Sequence, residues 1–347
     1  MLSSITKKKF GWIDDQEINE YTILNNNGMR VSIINYGGAI TEIITEDKNG
    51  DSGNLVLRFD NLTDYLKKEN PYLGPLIGRY ANRIGAAKFT INNNHYNLEA
   101  NDNENTLHGG FSGFDKVVWE VKTIPTQGAI QLNYFSKDGE GGFPGDIHVQ
   151  VTYALNNNNA LTIVYEATTS KPTPVSLTSH AYFNLSAGVQ SNILNHILHL
   201  NAQKFIPVNA QLIPTGEMLS VANTPMDFTN AHLVGDQIRH VKGGYDHSWI
   251  LDKQNNDLSL AATVYEPVSG RFLKMYTTEP AVQFYSGNFL DGTLGCNNGA
   301  TKFEQYGALC LEAQRFPDSP NQPNFPNTIL MPGEVYSQTT IYQFSIK

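Results

Sequence analysis

Apolar residues along this chain recur at every second position far more often than at helical spacing. Ile147, Val149, Val151, Tyr153 and Leu155 alternate with His148, Gln150, Thr152 and Ala154, the pattern of a strand with one buried face. The pattern resumes after Asn156, Asn157, Asn158 and Asn159, with Leu161, Ile163, Tyr165 and Ala167. Asparagine tolerates left-handed backbone angles, so this run predicts a hairpin turn rather than a linker. Ile130, Leu132 and Tyr134 alternate with Gln131 and Asn133, and the chain ends on Thr340, Tyr342, Phe344 and Ile346 in the same rhythm. Phe89 and Ile91 face Tyr96 and Leu98 across Asn92-Asn93-Asn94, a second, shorter hairpin. Helical spacing is scarce. Asn61 to Lys68 predicts about two turns, with Thr63 as the expected N-cap, Asp64 in the first turn and lysines behind it. Short strands punctuated by Gly, Pro and Asn clusters predict an all-β fold. No linker, composition break or fixed-period repeat divides the chain, so the expectation is one large antiparallel β-sandwich domain over residues 1–347.

Composition narrows the function. Hydrophobic residues make up 40% of the 347 positions and aromatics 11%, which excludes a disordered chain. Only 16% are charged, so neutral amides carry much of the polarity. Lys and Arg total 24 against 33 Asp and Glu, a net charge of −9 that repels phosphate backbones and argues against a nucleic-acid partner. Two cysteines, Cys296 and Cys310, support neither a disulfide framework nor a four-ligand zinc site. Lys7-Lys8-Lys9 is followed by Gly11-Trp12-Ile13-Asp14-Asp15 rather than an apolar run, so no signal peptide is expected. No apolar stretch approaches the roughly 18 residues of a membrane span. A soluble, cytoplasmic chain with no membrane partner is the expectation.

Several segments place polar groups where a strand would be costly to decorate. In Ser176 to Leu185, read as a strand, Thr178, His180, Tyr182 and Asn184 share one face, either the floor of a polar cleft or a solvated outer face. In Gly307 to Gln314, Glu312 stands among small and apolar residues, as does Gln283 in Ala281 to Tyr285. Such a carboxylate needs a partner, whether in a functional site or in a structural ion pair. Arg79, Asn82 and Arg83 lie in Gly78 to Gly85, His108 precedes Gly109-Gly110, and Asp246-His247 follows Gly243-Gly244-Tyr245. Glycines beside polar side chains allow close backbone approach to a ligand.

Nine ordered segments, VSIINYGGAITEI, GRYANRIGAAKF, TLHGGFSGFDKVVW, DGEGGFPG, TSHAYFNL, TPMDF, GGYDHSW, VQFYSGNFL and CLEAQRFPDSPNQPNFP, resemble the galactose mutarotase (aldose 1-epimerase) family along nearly the whole chain. The resemblance implies a β-sandwich with a sugar-binding cleft, a monosaccharide substrate, no cofactor, and a monomer or homodimer. It implies that Glu312 is the general base and His180 the general acid. Asn82, Arg83, His108, Asp246 and Gln283 match positions that hold the sugar or polarise its ring oxygen.

The residue chemistry agrees. Interconverting α and β anomers needs a base for the C1 hydroxyl proton and an acid for the ring oxygen; a carboxylate and an imidazolium suffice. No phosphate-cradling Gly-rich loop appears, so no nucleotide site is expected. His196 and His199 point to opposite faces if they share a strand, and no cluster in the sequence has metal-ligand spacing. On residues alone two other activities compete: a glycoside hydrolase with Asp246 and Glu312 as its carboxylate pair, and a silent sugar-binding module. The second would require the acid or the base to be missing, and both are present.

Overall fold

A computed structural model of the protein describes residues 4–188 and 190–347. Residues 1–3, the beginning of the stretch read above for a leader, and Val189 lie outside the described residues. The alternation seen in the sequence becomes a nine-stranded antiparallel sheet. Its order is Glu120–Ile124, Ala129–Ser136, Ile147–Leu155, Ala160–Thr169, Tyr336–Ile346, Arg271–Thr277, Ser259–Tyr265, Ile197–Leu200 and His232–Leu233. A six-stranded antiparallel sheet runs Tyr182–Phe183, Leu309–Gln314, Ala281–Tyr285, Asp246–Ile250, Lys204–Ile206 and Leu219–Ser220. A five-stranded meander, Ser4–Ile13 through Ser52–Asn54, accounts for the N-terminal region.

The two larger sheets share a core. Leu132, Val149, Val151 and Ile163 of the first belong to the same apolar cluster as Leu309, Leu311, Val282, Phe284 and Trp249 of the second. Each large apolar side chain buried there contributes about 1.5–3 kcal/mol relative to exposure. Tyr342 ties the layers with a hydrogen bond from its hydroxyl to the Leu311 carbonyl (2.8 Å). This is the expected β-sandwich.

Three local expectations change. The helix is a single turn, Leu62–Tyr65, capped by Asn61 rather than Thr63: the Asn61 side chain accepts the Asp64 N–H at 3.0 Å. Leu62 and Tyr65 face the core, and that places the cap two positions earlier than the charge pattern does. In the shorter hairpin, Lys88–Ile91 pairs with Asn94–Asn97, so only Asn92 and Asn93, both at positive φ, form the turn. The stretch from Ser176 to Leu185 is not one strand. Thr178–Ser179 pairs with Leu76–Ile77, and Tyr182–Phe183 pairs with Leu309 and Cys310. The chain switches partners at His180.

Candidate active site

Register assembles one wall of the site. In the six-stranded sheet Glu312 lies opposite Gln283, and Gln283 opposite Ser248; one row away Tyr182, Cys310, Tyr285 and Asp246 stand side by side. The side-chain period of two therefore carries Glu312, Gln283 and Asp246 to the same face. The opposite face, with Leu311, Phe284 and Trp249, belongs to the sandwich core. All six residues of Leu309–Gln314 are buried, because loops cover the polar face as the other sheet covers the apolar one.

Those loops form the second wall. Arg83 and Ile84 pair with Thr106 and Leu107, which sets Asn82 beside His108, both at positive φ. The two exchange bonds: the Asn82 N–H donates to His108 Nδ1 (3.1 Å) and the His108 N–H to the Asn82 carbonyl (3.1 Å). Gly109 is required next to them. Its φ is +89°, and a Cβ there would sit 2.1 Å from the Gly78 carbonyl oxygen. Arg83 Nε donates to Asp102 Oδ2 at 2.8 Å, which fixes the guanidinium at the cavity edge.

The walls enclose a cavity of about 190 Å³ lined by Asn82, Arg83, His108, His180, Asp246 and Glu312 together with Pro71, Tyr72, Leu107, Tyr182, Tyr285 and Phe289. Six of the seven residues singled out in the sequence thus converge. The seventh, Gln283, acts from behind: its Nε2 donates to Asp246 Oδ1 at 2.7 Å. A larger open groove of about 980 Å³ borders the Ala129–Ser136, Ile147–Leu155 and Ala160–Thr169 strands, but it holds none of these residues and no comparable buried acid–base pair. The small cavity is the candidate site.

His180 and Glu312 are its centre. Nε2 of His180 stands 3.6 Å from Glu312 Oε1, and the two residues are 6% and 2% exposed. Burial lowers the His180 imidazole to about 4 and raises the Glu312 carboxyl well above the usual carboxylate range. The charge of Asp246 adds to the rise at Glu312, and Arg83 opposes it. Burial also holds His108 well below the ordinary histidine value, with His180, Arg83 and Lys116 pushing the same way. Glu312 Oε2 and Gln283 Oε1 are buried acceptors with no hydrogen-bond partner among the described residues. A buried unpaired acceptor costs about 1–3 kcal/mol, an expense tolerated where a ligand supplies the donor.

The fold corrects the expectation that no metal-ligand cluster exists. His108, His180 and Glu312, far apart in sequence, bring ligand atoms within 4.8 Å of one another. Spacing could not reveal this, because three separate elements contribute. The donor chemistry at His108 does not suit a cation, however. Its Nδ1 accepts the Asn82 N–H, so the proton of the neutral ring sits on Nε2, which is then a donor rather than a ligand.

Other sequence candidates serve the scaffold. Arg79 is buried and donates to the Pro144 and Gly145 carbonyls and to Ser136 Oγ. His196 accepts the Leu185 N–H through Nε2 (3.0 Å). Thr178 is buried outside the cavity, and the Asn184 side chain donates to the Gly307 carbonyl (2.9 Å); neither belongs to a solvated outer face. Of the aromatic lining, Tyr182 shares the face that the sequence assigns to His180, and Tyr285 follows from Gln283 by the same alternation. Tyr72, whose ring lies 4.6 Å from that of His108, and Phe289, 64% exposed at the mouth, carry no such signal.

Comparison with known proteins shows the family. A family model described as Aldose 1-epimerase matches residues 19–343. The galactose mutarotase of Mus musculus is 43% identical over 325 residues, 93% of each chain. That of Homo sapiens is 40% identical over 348 residues, covering 99% of this chain and 100% of its own. The aldose 1-epimerase of Escherichia coli (strain K12) is 38% identical over 339 residues, 95% and 96% of the two chains. Among solved structures, a galactose 1-epimerase from Lactobacillus acidophilus shares the fold with a TM-score of 0.86 at 28% identity, over 99% of each chain. This chain belongs to the aldose 1-epimerase family and is an isomerase of that kind.

Proposed function

We propose that the protein interconverts the α and β anomers of free aldohexoses such as galactose and glucose, with Glu312 as general base and His180 as general acid. The observation that carries this reading is the pair itself: a carboxyl and an imidazole 3.6 Å apart, both buried, in a cavity of about 190 Å³. Glu312 takes the C1 hydroxyl proton, the O–H electrons become the carbonyl bond, the bond from C1 to the ring oxygen breaks, and His180 delivers a proton to that oxygen. Rotation about C1–C2 turns the other face of the aldehyde toward the oxygen. The same transfers in reverse close the ring.

The pair titrates as a unit. Burial favours the uncharged forms, a protonated carboxyl beside a neutral imidazole, whereas the working form places that same proton on the imidazole. Sugar hydroxyls that donate to Glu312 favour the carboxylate and so shift the proton to His180. His108, through Nε2–H, and Arg83 donate to the ring oxygen as charge develops there. Asn82 and Asp246 orient hydroxyls, with Gln283 holding the Asp246 carboxylate in place, and Tyr285 and Phe289, stacked with ring centroids 5.9 Å apart, offer the apolar face of the sugar a platform. We further infer one cooperatively folded domain and a cytoplasmic setting in carbohydrate metabolism, a setting that suits the free thiols of Cys296 and Cys310.

Polarimetry tests the reading directly. Freshly dissolved α-galactose or α-glucose should reach its equilibrium rotation faster with the protein than without, with no change in the end point. A rate equal to the spontaneous one for both sugars would refute it.

A further inference from the structure

The two cavity histidines differ in what stands behind them. At His108 the partner of Nδ1 is a backbone N–H, which can only donate. That ring is held in one tautomer, and taking a second proton would break the bond. At His180 the partner of Nδ1 is the thiol of Cys310, with Sγ 3.5 Å away. A thiol is both a weak donor and a weak acceptor. The His180 backbone donates its N–H to the Pro75 carbonyl (2.9 Å) and accepts the Gly74 N–H at its carbonyl (3.1 Å), and the Cys310 thiol is the side-chain partner of the ring at Nδ1.

The geometry points to Cys310 as a positioning residue that keeps His180 Nδ1 hydrogen-bonded through every proton state of the ring. When the imidazole is protonated, or neutral with its proton on Nδ1, the sulfur accepts from Nδ1–H. When Nδ1 is bare, the S–H rotates and donates. No covalent bond changes, and no proton leaves the thiol. Burial, with the charges of Glu312 and Asp246 adding to it, keeps the thiol protonated by pushing it well above its ordinary value. The pairing also explains why His180 rather than His108 is suited to carry the proton. A carboxylate behind Nδ1 would stabilise the imidazolium and make it a weaker acid; a thiol orients the ring with little such effect. The inference rests on the reading of His180 as the general acid.

The test uses the full-length protein with 15N-labelled histidine and three variants, Cys310→Ser, Cys310→Ala and Cys310→Val. Each is followed by ring-nitrogen NMR shifts and by kcat and KM from optical rotation. A hydroxyl both donates and accepts, so Cys310→Ser should keep kcat within about threefold of wild type and leave the His180 Nδ1 resonance hydrogen-bonded. Cys310→Ala and Cys310→Val should each lose about tenfold in kcat with KM within about twofold, and should shift His180 Nδ1. The His108 resonances should stay in place in all three. Retained kcat and an unmoved His180 Nδ1 in either apolar variant overturn the inference, as does a Ser variant no better than Ala. Two apolar variants of different size keep the test open if one fails to fold. Failure of the underlying reading looks different. If His180→Asn kept wild-type kcat while His180 Nδ1 still responded to Cys310→Val, His180 would not be the acid although the thiol contact is real.

Discussion

Along Ile147–Leu155 side chains alternate between buried and solvent-reaching positions, whereas along Leu309–Gln314 every side chain is buried. Both are central antiparallel strands of one sandwich. In the nine-stranded sheet the polar positions reach water, so Gln150 and Glu166 pair across the surface (3.0 Å) at little cost. In the six-stranded sheet the polar face is roofed by the Asn82 and His108 loops. There a carboxyl, an amide and an imidazole are withdrawn from water, and their protonation is governed by burial and by one another. The difference separates positions that merely finish a sheet from positions where desolvation prepares acid–base chemistry.

The largest expected effect breaks the comparison on its buried side. General acid and base groups contribute about 10²–10⁴-fold each, so Glu312→Gln and His180→Asn should each cut kcat by that order with folding nearly unchanged. Initial rates of optical-rotation change, corrected for the spontaneous reaction, measure this. Next come the groups that hold hydroxyls in the ground state: Arg83→Ala and Asp246→Ala should raise KM about tenfold, with losses in kcat smaller than at Glu312. The pH profile should follow the buried pair. As pH falls toward about 4, His180 takes up a proton while the carboxyl is still protonated, and the pair has no base left. The acid limb of kcat/KM should therefore lie near 4 and the basic limb well above the usual carboxylate range. An acid limb at the ordinary histidine value of about 6.5 would mean that burial does not govern the pair. The smallest effect lies on the other sheet: Gln150→Ala should shift stability by no more than about 0.5 kcal/mol in thermal unfolding and leave kcat alone.

How much of this was legible in the sequence follows the same division. The hairpin through Asn156–Asn159 was visible because local turn chemistry and one-sided burial both leave periodic traces. Glu312 and Gln283 stood out because each interrupts an apolar strand. Their convergence with Asn82, Arg83, His108, Asp246 and His180 came from family resemblance; periodicity could not place them in one cavity. The break at His180 was hidden, because it depends on a change of pairing partner from Leu76–Ile77 to Leu309 and Cys310, and alternation in one segment says nothing about its neighbours. The helix cap moved from Thr63 to Asn61 because burial of Leu62 and Tyr65, a tertiary effect, set the register. Tyr72 and Phe289 sit in irregular loops, where no period exists to betray them.

The central claim is that Glu312 and His180 act as one proton-transfer unit, and its most direct test is the kcat of the double variant Glu312→Gln/His180→Asn beside the two singles, measured by optical rotation. Groups that work as a unit are strongly non-additive, so the double variant should fall within about threefold of the worse single variant. Losses that multiply, so that the double variant is slower by the product of the two single effects, would show two residues acting independently and would contradict the account.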